Sequence, residues 1–390
     1  MAWMIREDQL DNDQKDFINI ETRKTGNIWV KGFAGSGKSV LLIHSLKNIL
    51  QEEPNADVAV VVYTQSLVDM FKTGMKELNL PSNIPVMTYY EFVDKNSSTY
   101  DYIFCDEVQD LPAKVLYEMS NRAGKVIVAG DSNQSIYDND PKWNEPVVNP
   151  DQVGNIINAR AYSLNVIHRL TRSIIAAVQK LLPSLNIWGA KRDLTKQDVN
   201  IRLCEAASEN EEVKYIYQEA KKGTAVADTC VILLPTNKLI QKFCDLILSS
   251  TNNPSWKLKN NNWGKPDYGD LNKHFKNNGI KIQFIGSGYG SLKDAEQNKD
   301  AILMTYHSAK GLDFDNVFLP FLNSNFYLHP SNAETLFMVA MTRSRKNLYL
   351  TYFGYTHDLV DRFKGECTEI SISDYMNKSN TTHAHNNFDF

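Results

Sequence analysis

Residues 32–39 read "GFAGSGKS" and fit the pattern G-x-x-x-x-G-K-[ST] at every constrained position. The stretch follows an apolar run, "NIWVKGF" (27–33), that is typical of a strand. It opens the segment "SVLLIHSLKNIL" (39–50), in which apolar residues recur at helical spacing. Between a strand and a helix, glycines let backbone N–H groups surround phosphate oxygens, and the helix N-terminus favours negative charge. The pattern therefore predicts a nucleotide-phosphate site.

Each side chain of this loop has a predicted partner. Lys38 is predicted to reach the β- and γ-phosphates, and the Ser39 hydroxyl to bind Mg²⁺. The residues predicted to bind the nucleotide here are Gly32, Gly35, Ser36, Gly37, Lys38 and Ser39.

An acidic stretch, "CDEVQD" (105–110), closes the strand-like run "YDYIF". Alone, such a cluster is usually a solvated loop. Downstream of a phosphate loop in the same sheet, Asp106 is predicted to hold Mg²⁺. Glu107 is predicted to take a proton from the attacking water, or to orient that water.

Near-continuous apolar strands alternate with helical segments over most of the 390 residues, which is typical of parallel sheets flanked by helices. We expect an N-terminal domain over 1–160 and a C-terminal domain over 161–370. A polar, Asn-rich segment near 251–279 is predicted to be an exposed insertion, and 371–390 a disordered tail.

Composition excludes several classes of protein. With 42% hydrophobic residues the chain can bury sizeable cores, and it has no run of eighteen apolar residues that would span a membrane. The five cysteines are scattered without CxxC pairs, and the N-terminal residues lack a signal-peptide layout, so we expect a reduced, cytoplasmic protein without structural zinc. The net charge of −4 argues against a globally basic nucleic-acid binder.

Further stretches follow in a fixed order: "LDNDQKDFI" (10–18), "VYTQSL" (62–67), "GDSNQSIY" (130–137), "LNVIHRLTRSI" (164–174), "TYHSAKGLDF" (305–314) and "VAMTRSRKNLYL" (339–350). Together with the phosphate loop and "DEVQD", they resemble the motifs of superfamily 1 DNA helicases of the UvrD/Rep/PcrA type. The resemblance runs from about residue 8 to 355.

The resemblance implies an α/β fold of two RecA-like P-loop NTPase domains, with ATP in the cleft between them and Mg²⁺ as its cofactor. Gln14 would read adenine, and His168 would replace an aromatic residue stacked on it. Gln134 and Arg169 would contact the γ-phosphate, and Arg343 would be the arginine finger.

The resemblance also assigns contacts in the C-terminal half and on nucleic acid. Gly311 and Asp313 would lie near the nucleotide. The residues implied in single-stranded nucleic-acid binding are Tyr63, Tyr137, Thr305 and His307.

Some positions depart from the family pattern. Large accessory insertions are absent, Asp313 replaces a glutamate, and Asn139 occupies the place of a base-stacking tryptophan, for which Trp143 is a candidate substitute. The missing insertions and Asn139 bear on strand grip and unwinding, so ATP hydrolysis is a firmer prediction than duplex unwinding.

Three functions stay open from the sequence. The first is an ATP-dependent helicase or translocase on single-stranded nucleic acid, with DNA and 3′→5′ movement implied by the resemblance. The second is a nucleic-acid-stimulated ATPase switch without unwinding. The third is a nucleotide-gated subunit that binds a partner protein through 251–279. A small-molecule kinase is a distant fourth, because the "GDSNQSIY" motif and Arg343 have no role in one.

Overall fold

The computed structural model describes residues 4–131, 134–168, 170–185, 191–192, 197–261, 264, 266–326, 328–329 and 332–377. The chain divides into two compact units: unit 1 is Met1–Leu170 with Ile187–Lys196, and unit 2 is Thr171–Asn186 with Gln197–Phe390. Each unit is built on a parallel sheet flanked by helices, which confirms the predicted α/β fold of two RecA-like domains.

The sheet of unit 1 has the strand order β3-β2-β4-β5-β1-β6, and every neighbouring pair is parallel. Its strands are β1 Asn27–Gly32, β2 Val58–Val62, β3 Val86–Thr88, β4 Tyr100–Cys105, β5 Ala123–Gly130 and β6 Ala159–Leu164. Two further strands, β7 Val166–Ile167 and β8 Lys191–Arg192, pair separately. The helices are α1 Asn12–Asn19, α2 Lys38–Glu52, α3 Gln65–Glu77, α4 Tyr89–Asp94, α5 Ala113–Arg122 and α6 Val153–Ile156.

The apolar composition of the strands explains this layered arrangement. All five residues of β2, "VAVVV", are buried, as expected for a strand covered by helices on both faces. Because all the strands are parallel, their carboxyl ends meet at one edge of the sheet. The segments that follow β1, β2, β4 and β5 therefore leave the sheet at the same edge, and these segments contain most of the predicted site residues of unit 1. Gln14 precedes β1, and His168 follows β6.

Unit 2 has a second parallel sheet with the order β11-β12-β10-β13-β14-β9-β15. Its strands are β9 Asn200–Ala206, β10 Cys230–Leu234, β11 Ile282–Phe284, β12 Ala301–Thr305, β13 Phe314–Leu319, β14 Ser344–Phe353 and β15 Thr368–Ser371. The helices are α7 Arg172–Leu181, α8 Glu209–Ala225, α9 Asn237–Ser250, α10 Tyr268–Asn277, α11 Leu292–Asn298, α12 Ala333–Met341 and α13 Asp358–Asp361.

The polar segment 251–279 contributes to the core of unit 2, so the prediction of a wholly exposed insertion is wrong. Trp256, Leu271 and Phe275 are buried in the core, and the Tyr268 ring stacks on Phe284 with centroids 4.0 Å apart. The indole N–H of Trp256 donates to Asp270 Oδ2 at 2.9 Å. Tyr268, Leu271 and Phe275 lie at helical spacing on α10, so this helix turns one face of a polar segment inward. Trp263 lies outside the described residues.

The division between the units and the start of the tail also differ from the sequence expectations. β6 pairs with β1 along its whole length, so unit 1 extends past residue 160 to Leu170. Residues 371–377 are packed on unit 2: Ile372 is buried and Tyr375 contacts Tyr215 edge-on. Within the part of the chain that the structure describes, no helix has the length and apolarity needed to span a membrane.

Candidate nucleotide and nucleic-acid site

The phosphate loop connects the end of β1 to the start of α2. Gly35 and Gly37 have φ angles of 76° and 82°, in the left-handed region that favours glycine. A Cβ atom on Gly37 would lie 2.4 Å from Gln14 Nε2, and one on Gly32 would lie 2.3 Å from Ser36 Oγ. The glycine spacing of the motif is therefore required by close contacts as well as by backbone conformation.

The outer side of this loop is braced by two residues that the sequence assigned to adenine. Gln14 Nε2 donates to the Ser36 carbonyl at 3.1 Å, and the backbone N–H of His168 donates to the Gly35 carbonyl at 2.9 Å. Gln14 Oε1 accepts from the backbone N–H of Asp11 at 3.1 Å, and His168 Nε2 lies 2.6 Å from Asp11 Oδ2. The loop is thus preorganised in this structure, while adenine recognition by Gln14 and His168 stays a prediction.

The loop also presents groups that a phosphate would satisfy. Lys38 Nζ donates to the carbonyls of Gly32 at 2.9 Å and Phe33 at 3.2 Å, so the ammonium is held across the loop. The buried Ser36 hydroxyl has no hydrogen-bond partner among the described residues. A buried hydroxyl without a partner is costly, and a phosphate oxygen would relieve that cost. The residues present therefore fit a nucleotide phosphate.

The predicted magnesium ligands, Ser39 and Asp106, are in direct contact. Ser39 Oγ donates a hydrogen bond to Asp106 Oδ2. Burial, with the neighbouring Glu107 carboxylate, raises the pKa of Asp106 to about 6. A buried carboxylate that is costly to ionise, next to a hydroxyl, is the oxygen-rich environment that Mg²⁺ prefers. The pair fits a magnesium ion that would offset this charge.

Glu107 adopts a strained backbone conformation beside this pair. Its φ and ψ of 56° and 41° are left-handed, which costs a non-glycine residue about 1–2 kcal/mol. Its backbone N–H donates to Asp106 Oδ1 at 2.9 Å. Gln109, to which the sequence analysis gave no role, donates from Nε2 to Glu107 Oε2 at 2.6 Å. The only signal for Gln109 in the sequence was its place in "DEVQD".

The loop that follows β5 holds the predicted γ-phosphate sensor. Gln134 is buried, and its backbone N–H donates to the Asp131 carbonyl at 3.1 Å. Its predicted contact with the γ-phosphate is untested. Arg169, the other predicted γ-phosphate contact, lies outside the described residues.

An aromatic cluster, consisting of Tyr63, Tyr89, Tyr90, Tyr137 and Trp143, lies at the same edge of unit 1. Tyr63 is buried between Tyr89, at 5.2 Å and nearly parallel, and Tyr137, at 5.0 Å. Trp143 meets Tyr89 edge-on at 5.5 Å. The structure thus places Tyr63, a predicted nucleic-acid contact, behind Tyr137. The more exposed members of the cluster are Tyr137, Tyr90 and Trp143.

Polar contacts hold this cluster in place, and lysine ammonium groups lie over two of its rings. The buried Asp140 carboxylate accepts from the Tyr89 hydroxyl and, at 2.6 Å, from the backbone N–H of Trp143. Lys114 Nζ lies 3.5 Å from the centre of the Trp143 ring, and Lys142 Nζ lies 5.3 Å from that of Tyr90. Aromatic rings with nearby ammonium groups are the combination used to bind single-stranded nucleic acid without sequence preference.

In unit 2 the predicted residues separate into two groups. Thr305 ends β12, and Asp313 immediately precedes β13. Because both strands run parallel to β10, with Thr305 opposite Leu234 and Asn316 opposite Cys230, Thr305 lies at the carboxyl edge and Asp313 at the amino edge. The assignment of Thr305 to nucleic acid and of Asp313 to the nucleotide stays a prediction.

Two groups near Thr305 are notable for their burial. Burial, with the nearby Lys310 ammonium, lowers the pKa of His307 to about 4, so the imidazole is neutral at physiological pH. Lys310 is itself buried. At the other edge, Asp313 Oδ2 lies 3.8 Å from Arg345 Nε, and Gly311 has a φ of 80°.

Arg343, the predicted arginine finger, is only 1% exposed. Its guanidinium donates to the carbonyls of Val339 at 2.8 Å and Leu312 at 3.2 Å, and to Thr342 Oγ1 at 3.0 Å. These bonds fix the side chain at the end of α12. Its action on a nucleotide stays a prediction.

Comparisons with known proteins agree with this arrangement of motifs. Residues 28–186 match the viral superfamily 1 RNA helicase core domain, and residues 273–355 match the UvrD-like helicase C-terminal domain. Each half of the chain therefore contains a segment that is similar to a superfamily 1 helicase domain.

One solved structure that aligns with this chain is the crystal structure of Arterivirus nonstructural protein 10 (helicase). It aligns with a TM-score of 0.45 and 15% sequence identity, over 87% of this chain and 62% of that chain. This chain therefore spans less than two thirds of that helicase. No curated protein sequence matches this chain.

Proposed function

We propose that this protein is an ATP- and Mg²⁺-dependent helicase or translocase on single-stranded nucleic acid. The observation that carries the proposal is the convergence, at one edge of the unit 1 sheet, of the braced phosphate loop, the Ser39–Asp106 pair and Glu107. The helicase-like domain matches support it further.

The residues of this edge can perform hydrolysis. Lys38 and the loop N–H groups would hold the phosphates, and Ser39 and Asp106 would hold Mg²⁺, which would supply positive charge to the phosphate oxygens. Glu107 accepts a proton from a water molecule, whose oxygen bonds to the γ-phosphorus. The bond from that phosphorus to the β,γ-bridging oxygen breaks, and ADP and inorganic phosphate are the products. Arg169 and Arg343 are proposed to offset the developing charge.

Coupling to nucleic acid is proposed to run through the loop after β5. Gln134, the proposed γ-phosphate sensor, precedes Tyr137 of the aromatic cluster by three positions in the chain. Loss of the γ-phosphate at Gln134 would then shift Tyr137 and change its contact with a base. Such a link needs no long pathway, because one short loop carries both groups.

The proposed substrate is single-stranded DNA with 3′→5′ movement, on the strength of the motif resemblance. The match of residues 28–186 to an RNA helicase core makes single-stranded RNA the paired alternative. A second candidate function is a nucleic-acid-stimulated ATPase switch that does not unwind duplexes. It is favoured by Asn139, which is exposed and donates to Asn144 Oδ1 at 3.2 Å where the resemblance would place a stacking tryptophan.

A steady-state ATPase assay with and without single-stranded DNA or RNA tests the proposal. We expect strong stimulation by one of them, and Lys38→Ala should abolish hydrolysis. Unwinding of a 3′-tailed duplex, against a 5′-tailed control, then separates the motor from the switch. Absence of stimulation by both nucleic acids, in a protein that binds ATP, would reject the motor.

A further inference from the structure

Gln109 joins two parts of the candidate site that are distant in sequence. Its Nε2 donates to Glu107 Oε2 at 2.6 Å, and its Oε1 accepts from the backbone N–H of Asp131 at 3.2 Å. The amide orientation is fixed by chemistry at both ends, because a carboxylate can only accept here and a backbone N–H can only donate. Gln109 is fully buried, so no water competes for these bonds.

The backbone of Gln109 makes a further contact with the same loop. Its carbonyl accepts from Ser135 Oγ at 3.4 Å, next to Gln134. Gln109 therefore touches the segment 131–137 at its first residue and again beside the proposed γ-phosphate sensor.

The packing around this amide depends on a glycine at the end of β5. A Cβ atom on Gly130 would lie 2.4 Å from Gln109 Oε1 and 2.9 Å from Val108 Cγ1. Both distances are too short for real contacts, so the amide occupies the space that a side chain at 130 would need. Gly130 lacks the positive φ angle that would itself favour glycine, so the close approach of Gln109 explains why this position lacks a side chain.

We propose that Gln109 is a positioning residue for hydrolysis: it holds the Glu107 carboxylate for proton transfer and ties it to the loop that begins at Asp131. The inference rests on the proposed ATPase function and assigns a further positioning residue to the same site. Glu107 takes the proton of the attacking water, while Gln109 keeps the carboxylate in one orientation and exchanges no proton. The other end of the Gln109 amide binds the backbone N–H of Asp131. The orientation of Glu107 therefore depends on the position of the 131–137 loop, which carries Tyr137.

Two substitutions separate the two ends of the amide. Gln109→Met keeps the side-chain length and removes both hydrogen bonds. Gln109→Glu keeps an acceptor for the Asp131 N–H, and it replaces the donor to Glu107 by a carboxyl group whose like charge repels the Glu107 carboxylate. We expect both variants to lower kcat by about 10–100-fold, the usual effect of losing a residue that orients a reacting group. KM for ATP, and binding of a non-hydrolysable ATP analogue, should change less than about threefold.

Stimulation by single-stranded nucleic acid distinguishes coupling from simple support of the fold. Gln109→Glu should keep the wild-type ratio of stimulated to basal rate, because its link to Asp131 survives. Gln109→Met should lose most of that ratio. Gly130→Ala offers a second route if a Gln109 variant does not fold: its methyl group displaces the amide while Gln109 is retained, and kcat should fall in the same way.

Asn27 is a matched control at the opposite end of the same sheet. Its amide also bridges two backbones, accepting from the Val126 N–H at 2.8 Å and donating to the Ile157 carbonyl. Asn27→Leu should lower thermal stability but leave kcat and the stimulation ratio unchanged.

The outcomes are distinguishable. A wild-type protein that hydrolyses ATP, with unchanged kcat in Gln109→Met and Gly130→Ala, overturns the positioning role and leaves the proposed function standing. A loss of analogue binding and stability that Asn27→Leu reproduces also overturns it, in favour of a structural role. A wild-type protein without ATPase activity removes the proposed function and this inference together.

Discussion

The Ser39 hydroxyl donates a hydrogen bond to Oδ2 of Asp106, which ties the first turn of α2 to the end of β4. The two residues are 67 positions apart in the chain. They meet because β1 and β4 are parallel strands of one sheet and end at the same edge. We propose that a magnesium ion binds at this contact, which leads to the first prediction.

Asp106→Asn should lower Mg²⁺-dependent ATP hydrolysis by at least about 100-fold, since a neutral amide is a poor magnesium ligand. The same change should stabilise the nucleotide-free protein, because it removes a buried charge beside Glu107. Each kcal/mol gained should raise Tm by roughly 2–4 °C. Asp101→Asn, at the exposed start of the same strand, is the control for both measurements. Unimpaired hydrolysis in Asp106→Asn would contradict the magnesium assignment.

Arg343→Lys tests the arginine finger while keeping a positive charge at the end of α12. We expect kcat to fall by about 10³-fold or more, with ATP binding retained, because lysine cannot reproduce the planar fork of guanidinium donors. Single-turnover hydrolysis and analogue binding measure the two effects. Arg362→Lys is the matched control, because this guanidinium of unit 2 also donates to a backbone carbonyl, that of Leu181 at 3.2 Å. If kcat is unchanged while thermal stability falls, the guanidinium serves only to bind the carbonyls of Val339 and Leu312.

Tyr137→Ala should weaken binding of single-stranded nucleic acid by about 5–150-fold, which corresponds to the 1–3 kcal/mol typical of one stacked base. Fluorescence anisotropy with a labelled oligonucleotide measures the change at fixed salt. Tyr117 is the control, because it is a 53% exposed aromatic residue of unit 1 on α5, outside the aromatic cluster. Equal affinities for Tyr137→Ala and Tyr117→Ala would remove the cluster from the binding site.

Glu212 should make the stability of unit 2 depend on pH. Burial raises the pKa of this carboxyl from the ordinary 4.5 to about 7, with Glu209 adding to the rise and Lys242 opposing it. One oxygen accepts from the Phe321 N–H at 2.7 Å and from the Thr351 hydroxyl at 2.6 Å. Since the native state binds the proton more tightly than the unfolded state, stability should fall as pH rises from about 4.5 to 7.

Glu212→Gln keeps the shape and removes this titration, so its stability should change less across that pH range. The difference from wild type should be on the order of 3 kcal/mol at most between pH 4.5 and 8. Urea unfolding at several pH values gives the measurement, with the exposed Glu205→Gln as control. Parallel curves for wild type and Glu212→Gln would show that the buried carboxyl does not titrate in this way.

Trp256→Ala tests whether the 251–279 segment is core or docking surface. Because the indole is buried in unit 2, its removal should cost about 3–5 kcal/mol of unfolding free energy. Leu258→Ala, at a 42% exposed position of the same segment, should cost less than about 0.5 kcal/mol. If both substitutions lower the unfolding free energy by the same small amount, the segment is an exposed insertion.

The sequence by itself determined the features that depend on local pattern. The phosphate loop between β1 and α2 was predictable because glycine spacing, a strand and a helix N-terminus are all local properties. The parallel α/β fold followed from apolar strands alternating with helices. "DEVQD" was predictable as a strand-end acidic motif, and the assignment of Asp106 within it to Mg²⁺ stays a prediction.

Tertiary structure alone decided which distant groups touch. That Gln109 joins Glu107 to Asp131, that Gln14 and His168 brace the phosphate loop, and that Tyr63 is buried behind Tyr137 all depend on which strands are neighbours in the sheet. The burial of Trp256 was missed because its neighbours in sequence are polar, which is typical of an exposed segment. Hydrogen bonds and packing act over a few ångströms in space, and residues far apart in a chain come that close only when the sheet has formed.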